Sequence, residues 1–119
     1  MPLLNFQKQF AEKVLTGEKT QTIRATRKRP FVVGDKVYLY TGCRTKNCVK
    51  LGEGIVTHAL IIYLDTDKVS IGGKLLHENY NHELARKDGF VDWYEMRDWF
   101  EKTHGLPFCG QLILWELEY

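Results

Sequence analysis

Between Gly17 and Arg24 the chain sets Lys19, Thr20, Thr22 and Arg24 close together, two cations interleaved with two hydroxyls. A threonine hydroxyl becomes a useful nucleophile only when a base takes its proton. A lysine can be that base if burial or a neighbouring cation lowers its pKa from about 10.4 toward neutrality. Cations at this spacing also suit phosphate oxygens, with the hydroxyls adding hydrogen bonds. In an extended segment Thr20, Thr22 and Arg24 share one face, and Lys19, Gln21 and Ile23 the other. A kink near Lys19 would instead let Lys19 and Thr22 converge, as a reactive site or a phosphate clamp requires.

Elements on either side must position this stretch. Pro2 to Asn5 reads as an edge strand or lead-in. Phe6, Phe10, Ala11 and Val14 recur at helical spacing, so a helix is expected over 6–16, ended by Gly17 as a left-handed cap. After the motif, Arg27, Lys28 and Arg29 form a loop closed by Pro30, read as a phosphate-facing rim or a solvated basic turn. Gly34-Asp35 turns the chain into a strand over 36–40, where Tyr38 and Tyr40 alternate with Val37 and Leu39. Residues 41–52, with Arg44, Lys46 and Lys50, read as a polar excursion able to close over a ligand. Strands are expected over 54–63, from Val69 and over 111–118, with a turn or bulge at Gly72-Gly73. Helices are expected over 81–87 and 93–103, the latter opened by an Asp92-x-x-Glu95 capping box and buried through Trp93, Met96 and Phe100. Strands with so few crossover helices make an α+β domain and not a doubly wound sheet.

At 119 residues the chain is expected to form one domain with a self-sufficient core. No apolar run is long enough for a membrane span and Met1 to Gln7 lacks the pattern of a signal peptide, so the expectation is a cytoplasmic protein. Cys43, Cys48 and Cys109 cannot all pair within one chain, which suits a reducing compartment. Cys43-x4-Cys48 lacks the further ligands of a closed zinc site, and no metal or cofactor is expected. Residues 1–50 carry 11 Lys and Arg against 3 Asp and Glu, and residues 51–119 carry 6 against 12. That asymmetry suggests one face built for a nucleotide or polyanion, unless the halves interleave in the fold.

Gly17-x-Lys19-Thr20-x-Thr22-x-Arg24 after a short amphipathic helix resembles the signature of the ASCH domain family, a branch of the PUA-like folds. The step Arg29-Pro30-Phe31-Val32-Val33-Gly34-Asp35 before a strand, the acidic-Gly-aromatic step Asp88-Gly89-Phe90 and the closing apolar strand from Leu112 to Leu117 are similar to the family's order too. The resemblance implies a small PUA-like β-barrel with peripheral helices and a cleft that takes RNA or a modified nucleoside. One branch of the family removes the acyl group from N4-acetylcytidine without a metal. Carried over residue by residue, Lys19 would be the proton acceptor and Thr22 the nucleophile. Asp88, one methylene shorter than the family's glutamate, would be the proton donor.

Two other readings belong beside this one. In a non-catalytic RNA-binding module, Lys19, Arg24, Arg27, Lys28, Arg29 and Arg44 would hold phosphate, Thr20 and Thr22 would hydrogen-bond, and a base would stack on Tyr40 or Trp99. In a metal-independent ribonuclease, Lys19 and Arg24 would stabilise the phosphorane, with His58 or His77 brought in by the fold.

Overall fold

The computed structural model describes residues 3–118, so Pro2 of the expected lead-in strand lies outside the described residues. The elements in chain order are β1 (Leu3–Phe6), α1 (Lys8–Thr16), β2 (Gln21–Ala25), β3 (Lys36–Thr41), β4 (Val49–Leu64), β5 (Val69–Ile71), β6 (Lys74–Leu75), α2 (Glu78–Lys87), α3 (Trp93–Thr103) and β7 (Phe108–Glu118). They form an α+β fold in which one curled, mixed sheet makes a half-barrel carrying three helices.

β4 is the strand on which this sheet is built. Its first half pairs antiparallel with β3 from Lys36↔Ile55 to Thr41↔Val49, and its length from Glu53 to Leu64 pairs antiparallel with β7. β1 adds to β3 in parallel, β2 adds to β7 antiparallel, and β5 followed by β6 adds to the end of β4, which leaves β1, β2 and β6 as edges. A β-bulge between Val56 and His58 bends β4, and the added twist curls the sheet. Tight strand approach also depends on Gly110, where a Cβ would run into the carbonyl oxygen of Arg24. The curl brings two of these edges close enough for Arg24 Nη2 on β2 to donate 2.8 Å to the Asn5 carbonyl on β1. The core runs from Leu4, Val37, Leu39, Val56, Ile62, Ile113 and Trp115 of the sheet to Val14, Ala85, Met96 and Phe100 of the helices.

Four boundaries differ from the sequence reading. Phe6 ends β1 instead of opening the helix, because its carbonyl is held by Thr41 Oγ1 at 2.8 Å in the parallel ladder and Gln7 is extended. Strand β4 begins at Val49, inside the stretch read as a polar excursion. There Glu53 takes ion pairs from Lys36 (2.9 Å) and Lys50 (2.6 Å), so polar residues support a half-exposed strand. Helix α2 starts three residues early, since His77 Nδ1 accepts from the Asn79 amide and acts as a cap that histidine rarely supplies. β7 likewise begins at Phe108, not Gln111.

Other expectations hold. Gly17 is left-handed at φ 83° and its N–H donates to Val14 O. Helix α3 has the expected limits, with Asp92 Oδ1 accepting from the Glu95 amide at 2.9 Å and Trp93, Met96 and Phe100 buried. The loop over 26–35 is anchored by Gln111, whose side chain accepts from the Phe31 amide (3.1 Å) and donates to the Phe31 carbonyl (2.7 Å). No helix among the described residues is long and apolar enough to cross a membrane.

Candidate active site

The gap between edge strands β1 and β2 is roofed by α1, α3 and the turn after α2, and it encloses a cavity of about 270 Å³. Asn5 and Phe6 of β1, Phe10 of α1 and Thr22 to Ala25 of β2 form its sides. Lys19, Asp88, Phe90, Trp99 and His104 also line it. The volume lies just below the roughly 300–1,000 Å³ typical of small-molecule sites.

Lys19 arrives here because Gly17 ends α1 in the left-handed region and the Lys19 amide then donates back to Lys13 O at 2.8 Å. That turn keeps Lys19 out of β2, so strand alternation does not govern its direction. Lys19 and Thr22 therefore line one cavity, as the kinked reading requires. Lys19 is 2% exposed, a burial that a lysine rarely reaches without a partner. Its ammonium donates to the Asp88 carbonyl at 2.5 Å and lies 3.4 Å from Asp88 Oδ1. The faces of Phe6 and Phe10 lie 5.7 and 5.1 Å from it and return part of the lost solvation through the ring quadrupole.

Asp88 is the last residue of the α2 cap, followed by Gly89 at φ 100°. A Cβ on Gly89 would lie 2.8 Å from the Phe10 ring, so this glycine lets the α2 turn close over α1. Gln21 also reaches the site: its Nε2 donates 3.2 Å to Asp88 Oδ1 and 3.2 Å to Leu84 O. Burial pushes the Asp88 carboxyl above the usual carboxylate range, against the opposing pull of Lys19 and the Gln21 amide. Burial likewise pulls Lys19 below the usual lysine value, Asp88 opposes, and Arg24 and Lys13 add to the lowering. Arg27, Lys28 and Arg29 are not among the charges that lower it.

Thr22 is buried and its Oγ1 accepts from Arg24 Nε at 3.0 Å. Arg24 lies 4.9 Å over the Phe6 ring, and burial lowers its own pKa. A hydroxyl that accepts from a guanidinium gives up its proton more readily, since the cation stabilises the developing alkoxide. Among the described residues Thr22 and Lys19 are not directly hydrogen-bonded. Lys19, Thr22, Arg24 and Asp88 are thus four polar groups set in an aromatic wall.

Other expected site residues lie elsewhere. Thr20 lines a shallow depression on the opposite side of the motif, with Thr57, His58 and Leu114. Arg27 stacks 3.8 Å over the Phe31 ring, while Lys28 and Arg29 are exposed in the same loop. Tyr40 is half-buried on β3 opposite Asn5 and does not line the cavity, and Arg44 is exposed at the β3–β4 turn. Trp99, the other expected stacking aromatic, does line it, packed against Phe90 at 5.8 Å between ring centroids. His58 is exposed on β4 and His77 caps α2, so neither reaches the cavity.

Sequence reasoning missed Asn5, Gln21 and His104. His104 follows α3 and is exposed at the cavity mouth, its ring 5.9 Å from Trp99. No periodicity marks a residue just past a helix end. The asymmetry of charge along the chain is partly cancelled by the fold, because Lys19, Lys36 and Lys50 all pair with carboxylates of the acidic half. No group of three or more His, Cys, Asp or Glu among the described residues is placed to hold a metal ion. No known family model, curated protein or solved structure matches the chain.

Proposed function

We propose that the protein is an ASCH-type, PUA-like hydrolase that removes the acyl group from an N4-acylated cytidine without a metal. The observation that carries this reading is the convergence of Lys19, Thr22, Arg24 and Asp88 on one aromatic-walled cavity. The half-barrel with its cleft between sheet edges and helices supports the fold assignment, and a compartment of this size suits a nucleoside better than a duplex.

The Lys19–Asp88 pair can hold its proton in two ways, as an ion pair or as amine and carboxylic acid. Burial shifts the balance from the ion pair toward the second form, which is the one the reaction draws on. In the proposed reaction Thr22 Oγ attacks the acyl carbonyl while Lys19 takes the hydroxyl proton. The tetrahedral intermediate collapses as the carboxylic acid of Asp88 protonates the departing N4. Water then attacks the acyl-threonine with Asp88 as base, and the proton on Lys19 returns to Thr22 as it leaves. Trp99 offers the ring face against which a base stacks.

A non-catalytic RNA-binding module is the second reading, favoured by the missing Lys19–Thr22 hydrogen bond and by the exposed basic run, which begins two residues beyond the cavity's Ala25. The test is incubation of the purified protein with N4-acetylcytidine, following acetate release, beside Thr22→Ala and Lys19→Ala variants shown to be folded. Turnover lost in both variants supports the hydrolase. Wild-type inactivity, together with salt-sensitive retention of short RNAs, supports the module.

A further inference from the structure

The turn between β3 and β4 carries a pair of thiols that the cavity does not use. The ladder ends at Thr41↔Val49, and the chain between folds back on itself. Gly42 O accepts from the Thr45 amide (3.1 Å) and the Thr45 hydroxyl (2.6 Å), while Thr45 Oγ1 accepts from the Asn47 amide (3.1 Å). Gly42 and Arg44 are both left-handed at φ 67°. A Cβ at Gly42 would lie 2.6 Å from Asn47 O, so the turn is as tight as the chain permits. In this shape Cys48 Sγ lies 4.0 Å from Cys43 Sγ, both thiols free, Cys48 exposed and Cys43 half-buried.

The turn is joined to the cavity by two hydrogen bonds. The Cys43 amide donates 3.0 Å to Asn5 Oδ1, and the Asn5 carbonyl accepts 2.8 Å from Arg24. We infer that Cys43 and Cys48 form a reversible dithiol–disulfide site, and that its oxidised form holds the 42–48 turn against β1. The sulfurs must close to about 2.05 Å, an approach that rotation about the side-chain bonds and a small movement of an exposed turn supply. A ring closed over so few residues and open to solvent belongs with the reducible, regulatory disulfides and not the structural ones.

The oxidant is a low-molecular-weight disulfide, oxidised glutathione in the test. The exposed Cys48 thiolate attacks one of its sulfurs, the S–S bond breaks and one glutathione leaves as thiolate. The Cys43 thiolate then attacks Cys48 Sγ in the mixed disulfide and expels the second glutathione. Both thiol protons and one electron pair pass to the products, two reduced glutathiones.

The experiment uses the whole reduced protein, freed of reductant and treated with oxidised glutathione, read by intact mass and peptide mapping. The expected product is lighter by two hydrogens, linked Cys43 to Cys48 and restored by dithiothreitol, and Cys109→Ser behaves the same way. Cys43→Ser and Cys48→Ser retain bound glutathione on the remaining turn cysteine. Amide exchange slows several-fold across residues 3–6 and 42–48 in the oxidised protein and is unchanged in α3. Wild-type protein that keeps glutathione on Cys48, or that links only through Cys109 between copies, would overturn the assignment. A disulfide that leaves exchange in both segments unchanged would overturn the link to β1.

Discussion

Two clusters of lysines and carboxylates occupy opposite physical settings in this protein. On the β3–β4 hairpin Lys36 and Lys50 share Glu53, and Lys36 also approaches Glu118 at 3.8 Å, all in solvent. In the cavity Lys19 faces Asp88 with side chains only 2% and 7% exposed. Exposed pairs gain little and cost little, whereas removing a charge from water costs several kcal/mol per ion even after relaxation. A chain selected for stability alone would do better with apolar residues at both cavity positions. The hairpin charges support a strand; the cavity charges are kept at a loss, a perturbation of the kind that clusters at functional sites.

The largest expected effect follows from removing one member of the buried pair. Lys19→Met leaves the buried Asp88 carboxylate with the Gln21 amide but without its cation, and stability to urea should fall by about 3–5 kcal/mol. Adding Asp88→Leu to Lys19→Met should recover most of that loss while leaving the cavity inert. If the double variant is no more stable than the single one, the pair is not the source of strain and the contrast with the hairpin collapses.

A smaller effect is expected at Gly89. Its φ of 100° and the 2.8 Å approach of the Phe10 ring together oppose any side chain. Gly89→Ala should cost about 2 kcal/mol and move Asp88 away from Lys19. Thermal unfolding gives the first quantity; the pH dependence described next reports the second.

The two clusters should also respond to pH with opposite sign. Burial raises Asp88 above its ordinary value of 3.8, so the folded state holds a proton that the unfolded chain releases. Its contribution is fully present below that value and is lost as pH rises through the folded pKa. Lys19 is lowered from 10.5, so the folded state gives up its proton first, and stability returns as pH rises from the folded value toward 10.5. The pair thus produces a dip in stability between the two limits. Subtracting the urea stability of the double variant from that of the wild protein across pH should reveal that dip, and a flat difference would deny the buried shifts.

How far the site was legible in the sequence depends on which force placed each residue. Lys19, Thr22 and Arg24 were legible because a helix, a glycine stop and a strand are all local signals, and the left-handed Gly17 turns the chain where its sequence position predicts. Asp88 emerged only through resemblance, since its arrival depends on α2 packing over α1. Tyr40 and Arg44 were expected from side-chain type alone, and type does not determine which edge of a curled sheet a residue faces. Gln21 was read as pointing away from Thr22. It does so, yet a long side chain still reaches Asp88 around the strand end. Phe6 fits helical spacing well; parallel pairing with β3, a contact between residues 35 apart in sequence, outweighs it.

The smallest expected effect is the one that tests whether the hairpin charges are as dispensable as their exposure implies. Hydrogen bonds from Lys50 and Lys36 hold the Glu53 carboxyl below its ordinary value of 4.5. Its contribution is therefore present above that value and lost as pH falls through the folded pKa, the reverse of Asp88. Salt should erase it too, since both partners sit within reach of counterions, while Lys19 and Asp88 are beyond them. Glu53→Gln keeps the side-chain shape and one hydrogen bond to Lys50, so its melting temperature at neutral pH and moderate salt should match the wild protein within experimental scatter. A clear loss there would mean that the polar first half of β4 depends on its charges to remain a strand. The start of β4 would then be held in the sheet by Glu53 alone, and solvent exposure would no longer separate the supporting cluster from the buried one.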